Sequence, residues 1–426
     1  MNYKKLLSTV VAFALMMVTV ACNLYAKSEY TALPQELDGS MMTFDYSKCS
    51  MAPLVPDTLQ PVYATYVARH GARYLSSIQK MKPIIDALEN GQQMGTLSQE
   101  GRDFLAYIEM IRQHNEGHWG DLSEIGRQEE EFLSKRLFEL FQPLGYNASK
   151  VSTFSSYVPR CVMTMYFFNG GLVHHNDGLQ VGTEEGHQYD SLICCFMADS
   201  QFADYRKDGD WKAVYDEFVD RTVPSEPARR LFTTTSLSNH KLRKLSLDIY
   251  EVLKANRASG LEPPTTRWMS LEEYTACWRA SNLQHYLRNT ISPISTLAAN
   301  ATVPLLKQII NDIDEAVNSN NPERVLNGYF GHAETLLPLL SLMKIPGCFD
   351  LPLKYEDLEN NWKIQEITPL GANLLIVISK GPSGRHYASI QLNGQPVQSI
   401  IGESGPIEWS KLKEYWNNLM EAYITP

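Results

Sequence analysis

Five short apolar runs in this chain read as strands. Pro61 to Val67 carries Val62, Tyr63, Tyr66 and Val67, residue types that fit a buried pleated surface. Val151 to Ser155 and Val325 to Phe330 have the same character. Leu374 to Ser379 and Tyr387 to Leu392 form a further pair, the first uniformly apolar as a central strand is. Between these runs the apolar positions recur at helical spacing. Ile78, Met81, Ile84, Ile85 and Leu88 predict a helix capped by Ser76 and kinked or split at Pro83. Leu97 to Gln113 predicts a second, capped by Ser98, and Ser123 caps a third that runs to Leu140. A fourth starts at Arg160. From Leu172 to Pro322 the pattern is helical over 211–221, 239–256, 271–288 and 303–317, with one strand expected around Leu192 to Phe196. Thr335 is expected to cap a helix from Leu336 to Met343, and 409–422 closes the chain as a helix. The alternation predicts an α/β fold, with a central, mainly parallel sheet flanked by helices and interrupted by a helical insertion. The expected division is 27–171 with 323–426 for the α/β domain and 172–322 for the insertion.

Composition narrows the class. With 426 residues, 44% of them hydrophobic, the chain can build a large core. A net charge of −10 leaves no global basic field for nucleic acid. Residues 1–26 read as an export signal, with Lys4 and Lys5 before the apolar run Leu6 to Ala21. The competing reading is a lipid anchor at Cys22. No later stretch is long and apolar enough to span a bilayer. Six cysteines follow Cys22 in an exported chain, and their pairing stays open. No Cys-x-x-Cys pair exists, which argues against structural zinc. His114 and His118 have a metal-pair spacing, but Gly117 and Gly120 interrupt the helix, and Asn115 stands where a zincin has glutamate. No metal is expected.

The chemistry gathers where strands end. Val67-Ala68-Arg69-His70-Gly71-Ala72-Arg73-Tyr74 puts two arginines and a histidine on a strand-to-helix turn, with Gly71 free to bend. Cationic side chains and free backbone N–H groups at one point suit a phosphate. Arg160 again follows a strand at a helix start, a position the helix dipole disfavours for a cation unless an anion is near. Gly331-His332-Ala333-Glu334-Thr335-Leu336-Leu337-Pro338-Leu339-Leu340 follows a third strand.

Arg-His-Gly-x-Arg resembles the signature of the histidine phosphatases, in the branch of acid phosphatases and phytases. The stretch at Gly331 resembles the distal motif of that branch. Its His-Ala-Glu, where acid phosphatases and most phytases read His-Asp, is similar to the multiple inositol polyphosphate phosphatases. The dipeptide Arg160-Cys161 also resembles that group, and the segment at Leu122-Ser123 resembles the family's Leu-Thr-x-x-Gly. Leu75 departs from the proline that many members carry there.

The resemblance implies a phosphomonoesterase that needs no cofactor, acting on inositol hexakisphosphate and related esters, with the helical insertion capping its pocket. His70 would be the nucleophile and form a phosphohistidine. Arg69, Arg73 and Arg160 would bind the phosphate, with His332 as a fourth, cationic contact. Glu334 would be the general acid; two residues from His332 in extended backbone, it would point to the same side. Export implies a periplasmic, outer-membrane associated or secreted enzyme. The alternatives are a broad acid phosphatase of the same fold, a non-catalytic phosphate-ester binding protein of the envelope, and a phosphomutase. The basic residues of the insertion, Arg206 among them, read as a solvated face.

Overall fold

A computed structural model describes residues 31–141, 150–176, 178–319 and 324–424. The expected export signal and Cys22 lie outside the described residues. Among the described residues, no helix is long and apolar enough to cross a membrane.

The sheet has eight strands: β1 (Gln60–Arg69), β2 (Lys150–Ser155), β3 (Gln180–Glu185), β4 (Arg324–Gly331), β5 (Asn373–Lys380), β6 (His386–Leu392) and the short β7 (Gln395–Pro396) and β8 (Ile407–Glu408). Their order is β3-β2-β4-β1-β5-β6-β7, with β8 also on β6. The first four are parallel, and β5 turns the rest antiparallel. β1 lies at the switch and is buried on both faces. Tyr63 and Val67 pack into one core, whereas Ala64, Tyr66 and Ala68 pack into the other, as a period of two requires.

Among the described residues, the α-helices longer than one turn are α1 (Lys82–Gln93), α2 (Gln99–Asn115), α3 (Glu124–Phe141), α4 (Pro159–His175), α5 (Ser200–Asp208), α6 (Trp211–Thr222), α7 (Asn239–Leu253), α8 (Leu271–Asn289), α9 (Leu297–Asn318), α10 (Ala333–Leu342) and α11 (Trp409–Ile424). Leu133 and Leu137 of α3 and Met165, Phe168 and Leu172 of α4 cover one face of the sheet. Residues of α9, α10 and α11 cover the other, in a core continuous with α7 and α8. Ser98 caps α2 by accepting from Gly101 N at 2.9 Å, and Ser123 accepts from Gly126 N at 3.3 Å, as expected.

Four expectations change. The helix expected from Ser76 is split just before Pro83, which sits in the first turn of α1, where no N–H is needed, after a 3₁₀ turn at Ile78–Lys80; Ser76 is the N-cap of neither piece. The strand expected at 192–196 is two helical turns, Asp190–Ile193 and Cys195–Ala198, because that apolar run packs against Phe202, Ala298 and Ala301 rather than joining the sheet. Conversely β3, within the stretch assigned to the insertion, pairs with β2. It is a polar edge strand, so burial left no pattern to read. Finally, α10 starts at Ala333 rather than Leu336. Thr335 is therefore inside it, and its Oγ1 accepts the His332 N–H at 3.0 Å.

Candidate active site

Ladder register builds the site. Arg69 pairs with Gly331 on parallel neighbours β1 and β4, and Ser155 of β2 pairs with Phe330. The next residues, His70, His332 and Ser156, therefore leave the sheet side by side at the carboxyl ends of its strands. His70 N donates to Gly331 O at 3.0 Å, and Ser156 N donates to Phe330 O at 3.2 Å. The two imidazole rings stand edge to face, 5.7 Å between centroids.

His70 is 3% exposed. Its Nδ1 lies 2.9 Å from Gly71 O. A carbonyl only accepts, so Nδ1 carries the proton and Nε2 the lone pair. Burial, then Arg160, Arg69 and Arg73, hold its pKa well below the usual 6.5, so the ring is neutral.

The three sequence-predicted arginines converge around it. Arg69 Nη1 donates at 2.6 Å to both Ser40 O and Thr368 O. Arg73 Nη1 donates to Tyr74 O at 2.8 Å. Arg160 Nη2 lies 3.4 Å from His332 Nδ1. The Nε of each of these arginines is buried with no hydrogen-bond partner among the described residues. Burial first, together with Arg160 and against the opposing charge of Glu334, pulls Arg69 down to about 10 and Arg73 down to about 9. Crowded cations with unused N–H groups form an anion site whose anion the protein does not itself supply.

His332 is 4% exposed, with Ser156 Oγ 3.3 Å and Cys161 Sγ 3.5 Å from its Nε2. Burial and Arg160 pull it down to about 3 against the opposing charge of Glu334. Within the protein's own field it is neutral, and only an added anion would favour the cation.

Glu334 is placed differently from expectation. His332 is extended, at φ −125° and ψ 172°, but the chain turns helical at Ala333, so the two side chains do not share one face of a strand. Glu334 lies instead in the first turn of α10, and its Oε1 meets Arg206 Nη2 of α5 at 3.0 Å. Arg206 is fixed in turn by Asn289 Oδ1, 2.9 Å from its Nε, and by the Phe196 ring, 5.0 Å from its guanidinium carbon. Burial pushes the Glu334 carboxyl up, but Arg206, His332 and His285 outweigh it and hold the group below its usual range. Arg206 is the partner of Glu334 that the sequence hid. Nothing in its neighbourhood along the chain separates it from the surface cations of the same helix.

Two other groups stand apart. His114 Nε2 meets Ser259 O at 2.9 Å, and the His118 ring stacks on Tyr74 at 5.0 Å. The cysteines from Cys49 to Cys348 are unpaired, and Cys194 and Cys195 are buried core residues. Among the described residues, no group of three or more metal-ligating side chains assembles.

Residues 63–387 match the model of the histidine phosphatase superfamily (branch 2). Human multiple inositol polyphosphate phosphatase 1 is 23% identical over 404 residues, covering 87% of this chain and 82% of that protein. The multiple inositol polyphosphate phosphatase of Bifidobacterium longum, solved with inositol hexasulfate, has the same fold, with TM-score 0.76 at 16% identity over 89% of this chain and 97% of that one. So has the phytase of D. castellii, with TM-score 0.68 at 15% identity over 90% of this chain and 85% of that one. A matched region spanning both motifs, on a sheet that brings them together, makes this chain a histidine-type phosphatase that belongs to branch 2 of the histidine phosphatase superfamily.

Proposed function

We propose that the protein hydrolyses inositol polyphosphates, inositol hexakisphosphate among them, through a phosphohistidine at His70. The observation that carries this reading is the buried Nε–H groups of Arg69, Arg73 and Arg160, without hydrogen-bond partners among the described residues and gathered around a neutral imidazole. The human and bifidobacterial relatives, both inositol polyphosphate phosphatases by name, support the substrate class.

In this reading the arginines and His332 bind the oxygens of one phosphate. The lone pair on His70 Nε2 attacks phosphorus, and the P–O bond to the inositol breaks. The leaving alkoxide needs a proton, which Glu334 supplies. A polyanionic ester competes for Arg206 and opposes the cations that hold Glu334 ionised, so substrate itself raises the carboxyl. Water then attacks the phosphohistidine, giving its proton back to Glu334 as the N–P bond breaks. The charge stabilisation that metal ions supply elsewhere comes here from side chains.

The helical stretch that carries Arg206, His285 and Arg288 is proposed as the cap of the pocket. Export through residues 1–26, to the periplasm, the outer membrane or the medium, belongs to the same reading. The test is phosphate release from inositol hexakisphosphate by purified protein in EDTA, with acid quench after labelled substrate. Label recovered on His70 is expected. Turnover of small aryl phosphates alone would make the protein a broad acid phosphatase, and binding without release would make it a binding protein.

A further inference from the structure

We propose that Glu129 is a positioning residue for the nucleophile, acting on His70 through the single peptide group that joins Gly71 to Ala72. The two ends of that peptide are held by different partners. Its C=O, on Gly71, accepts from His70 Nδ1 at 2.9 Å. Its N–H, on Ala72, donates to Glu129 Oε2 at 2.6 Å. The carboxylate and the imidazole therefore grip one rigid plane from opposite sides. A carboxylate at the N–H end polarises the amide and makes its oxygen a better acceptor. A stronger acceptor keeps the proton on Nδ1 and the lone pair on Nε2, the tautomer that attack on phosphorus requires.

Glu129 is itself fixed. It is 0% exposed, and its other oxygen accepts from Phe44 N at 2.8 Å, so backbone donors engage both oxygens. The surrounding loop has no slack. A Cβ on Gly71 would stand 2.9 Å from Gly126 O and 3.1 Å from Glu129 Oε2, and one on Gly126 would stand 2.2 Å from Ala72 O. The start of α3 is thus pressed against the signature loop, which accounts for glycine at both positions.

The charge of Glu129 depends on pH near neutrality. Burial pushes it up to about 7, against the Phe44 and Ala72 N–H groups and Arg69. The charged and titratable groups facing it are Arg69 on β1, Glu130 on its own helix and Tyr46 in the lead-in. Neither histidine of the site titrates in that range within the protein's own field.

The inference rests on His70 being the nucleophile, and the test separates the two. Glu129→Gln keeps the shape but sets an NH₂ donor against one backbone N–H. It is expected to lower kcat by about 10-fold or more, the scale seen when the partner that orients a metal-ligating imidazole is lost, with KM little changed. In ¹⁵N NMR the His70 ring of the variant should lose its fixed Nδ1–H signature. A folded variant with wild-type kcat, or one with reduced kcat but an unchanged His70 tautomer, overturns the proposal. If the variant does not fold, the His70 Nδ1–H resonance of the wild-type protein is titrated through neutral pH instead. A shift that follows a carboxyl titrating near 7 is expected, and a flat resonance overturns the proposal. Failure to trap phosphate on wild-type His70 would sink the nucleophile reading instead, whatever Glu129 does.

Discussion

Arg206 Nη2 and Glu334 Oε1 meet at 3.0 Å, with side chains 13% and 30% exposed. This ion pair joins the helical layer to the end of β4, and it sets the charge of the proposed general acid. Because the folded-state pKa of Glu334 is depressed, the pair contributes stability above the unfolded pKa and loses it as pH falls through the folded one. Arg206→Ala removes the cation, so the carboxyl titrates higher. The alkaline limb of kcat for inositol hexakisphosphate should move to higher pH. A limb that stays in place assigns it to another group.

Glu334→Gln tests the acid directly. An inositol alkoxide leaves poorly without a proton, whereas a nitrophenolate leaves without one. Hydrolysis of inositol hexakisphosphate should slow by about 10²-fold or more, and that of the nitrophenyl ester far less. Equal losses on both substrates would assign Glu334 to binding.

His70→Ala deletes the proposed nucleophile and should remove nearly all turnover while the melting transition stays close to wild type. A variant keeping about a tenth of the activity would rule out the covalent route, since loss of a nucleophile costs far more.

Arg160, proposed to bind the phosphate, also lies 3.4 Å from His332. Arg160→Ala should lower kcat/KM by about 3 kcal/mol, the scale of one lost charged donor at a transition state. It should also raise the His332 pKa from about 3, because Arg160 is, after burial, the largest influence holding it down. A proton NMR titration reads that shift. An unmoved His332 with normal kcat/KM would return Arg160 to the surface.

Glu130 is fully buried, and neither carboxyl oxygen has a hydrogen-bond partner among the described residues. Burial, then Glu129, pushes its pKa well above 4.5. A raised carboxyl pKa means the folded state holds the proton more tightly, so the stability it contributes falls as pH rises above the unfolded value. Glu130→Met should therefore stabilise the protein by about 1–3 kcal/mol, the cost of an unsatisfied buried group, and more at about pH 8 than at about pH 5. Denaturant melts at the two pH values check this. Lower stability at both would indicate that Glu130 has a partner.

The sequence by itself determined the strands that carry the chemistry. β1, β4 and β5 are short, largely apolar runs, Arg69, Arg160 and His332 sit where β1, β2 and β4 end, and the resemblance to the histidine phosphatase motifs singled out Arg69, His70, Arg73, Arg160, His332 and Glu334 before any contact was known. The periodicity of α2, α6 and α7 was equally legible, because each buries mainly one face. What the tertiary structure alone decided involves partners distant in sequence. Arg206 reaches Glu334 across 128 positions, and Glu129 reaches Ala72 across 57. No local pattern distinguishes a partly buried ion pair from a solvated charge, because the difference lies in what the neighbouring element brings. The polar edge strand β3 escaped for the complementary reason: its backbone bonds to β2 fix it, and backbone bonds leave no mark on side-chain pattern. Glu334 shows the boundary most clearly. Its identity was readable, but its direction depended on where α10 begins. There the His332 N–H bonds to Thr335 Oγ1, so the helix starts at Ala333 and Glu334 turns toward Arg206.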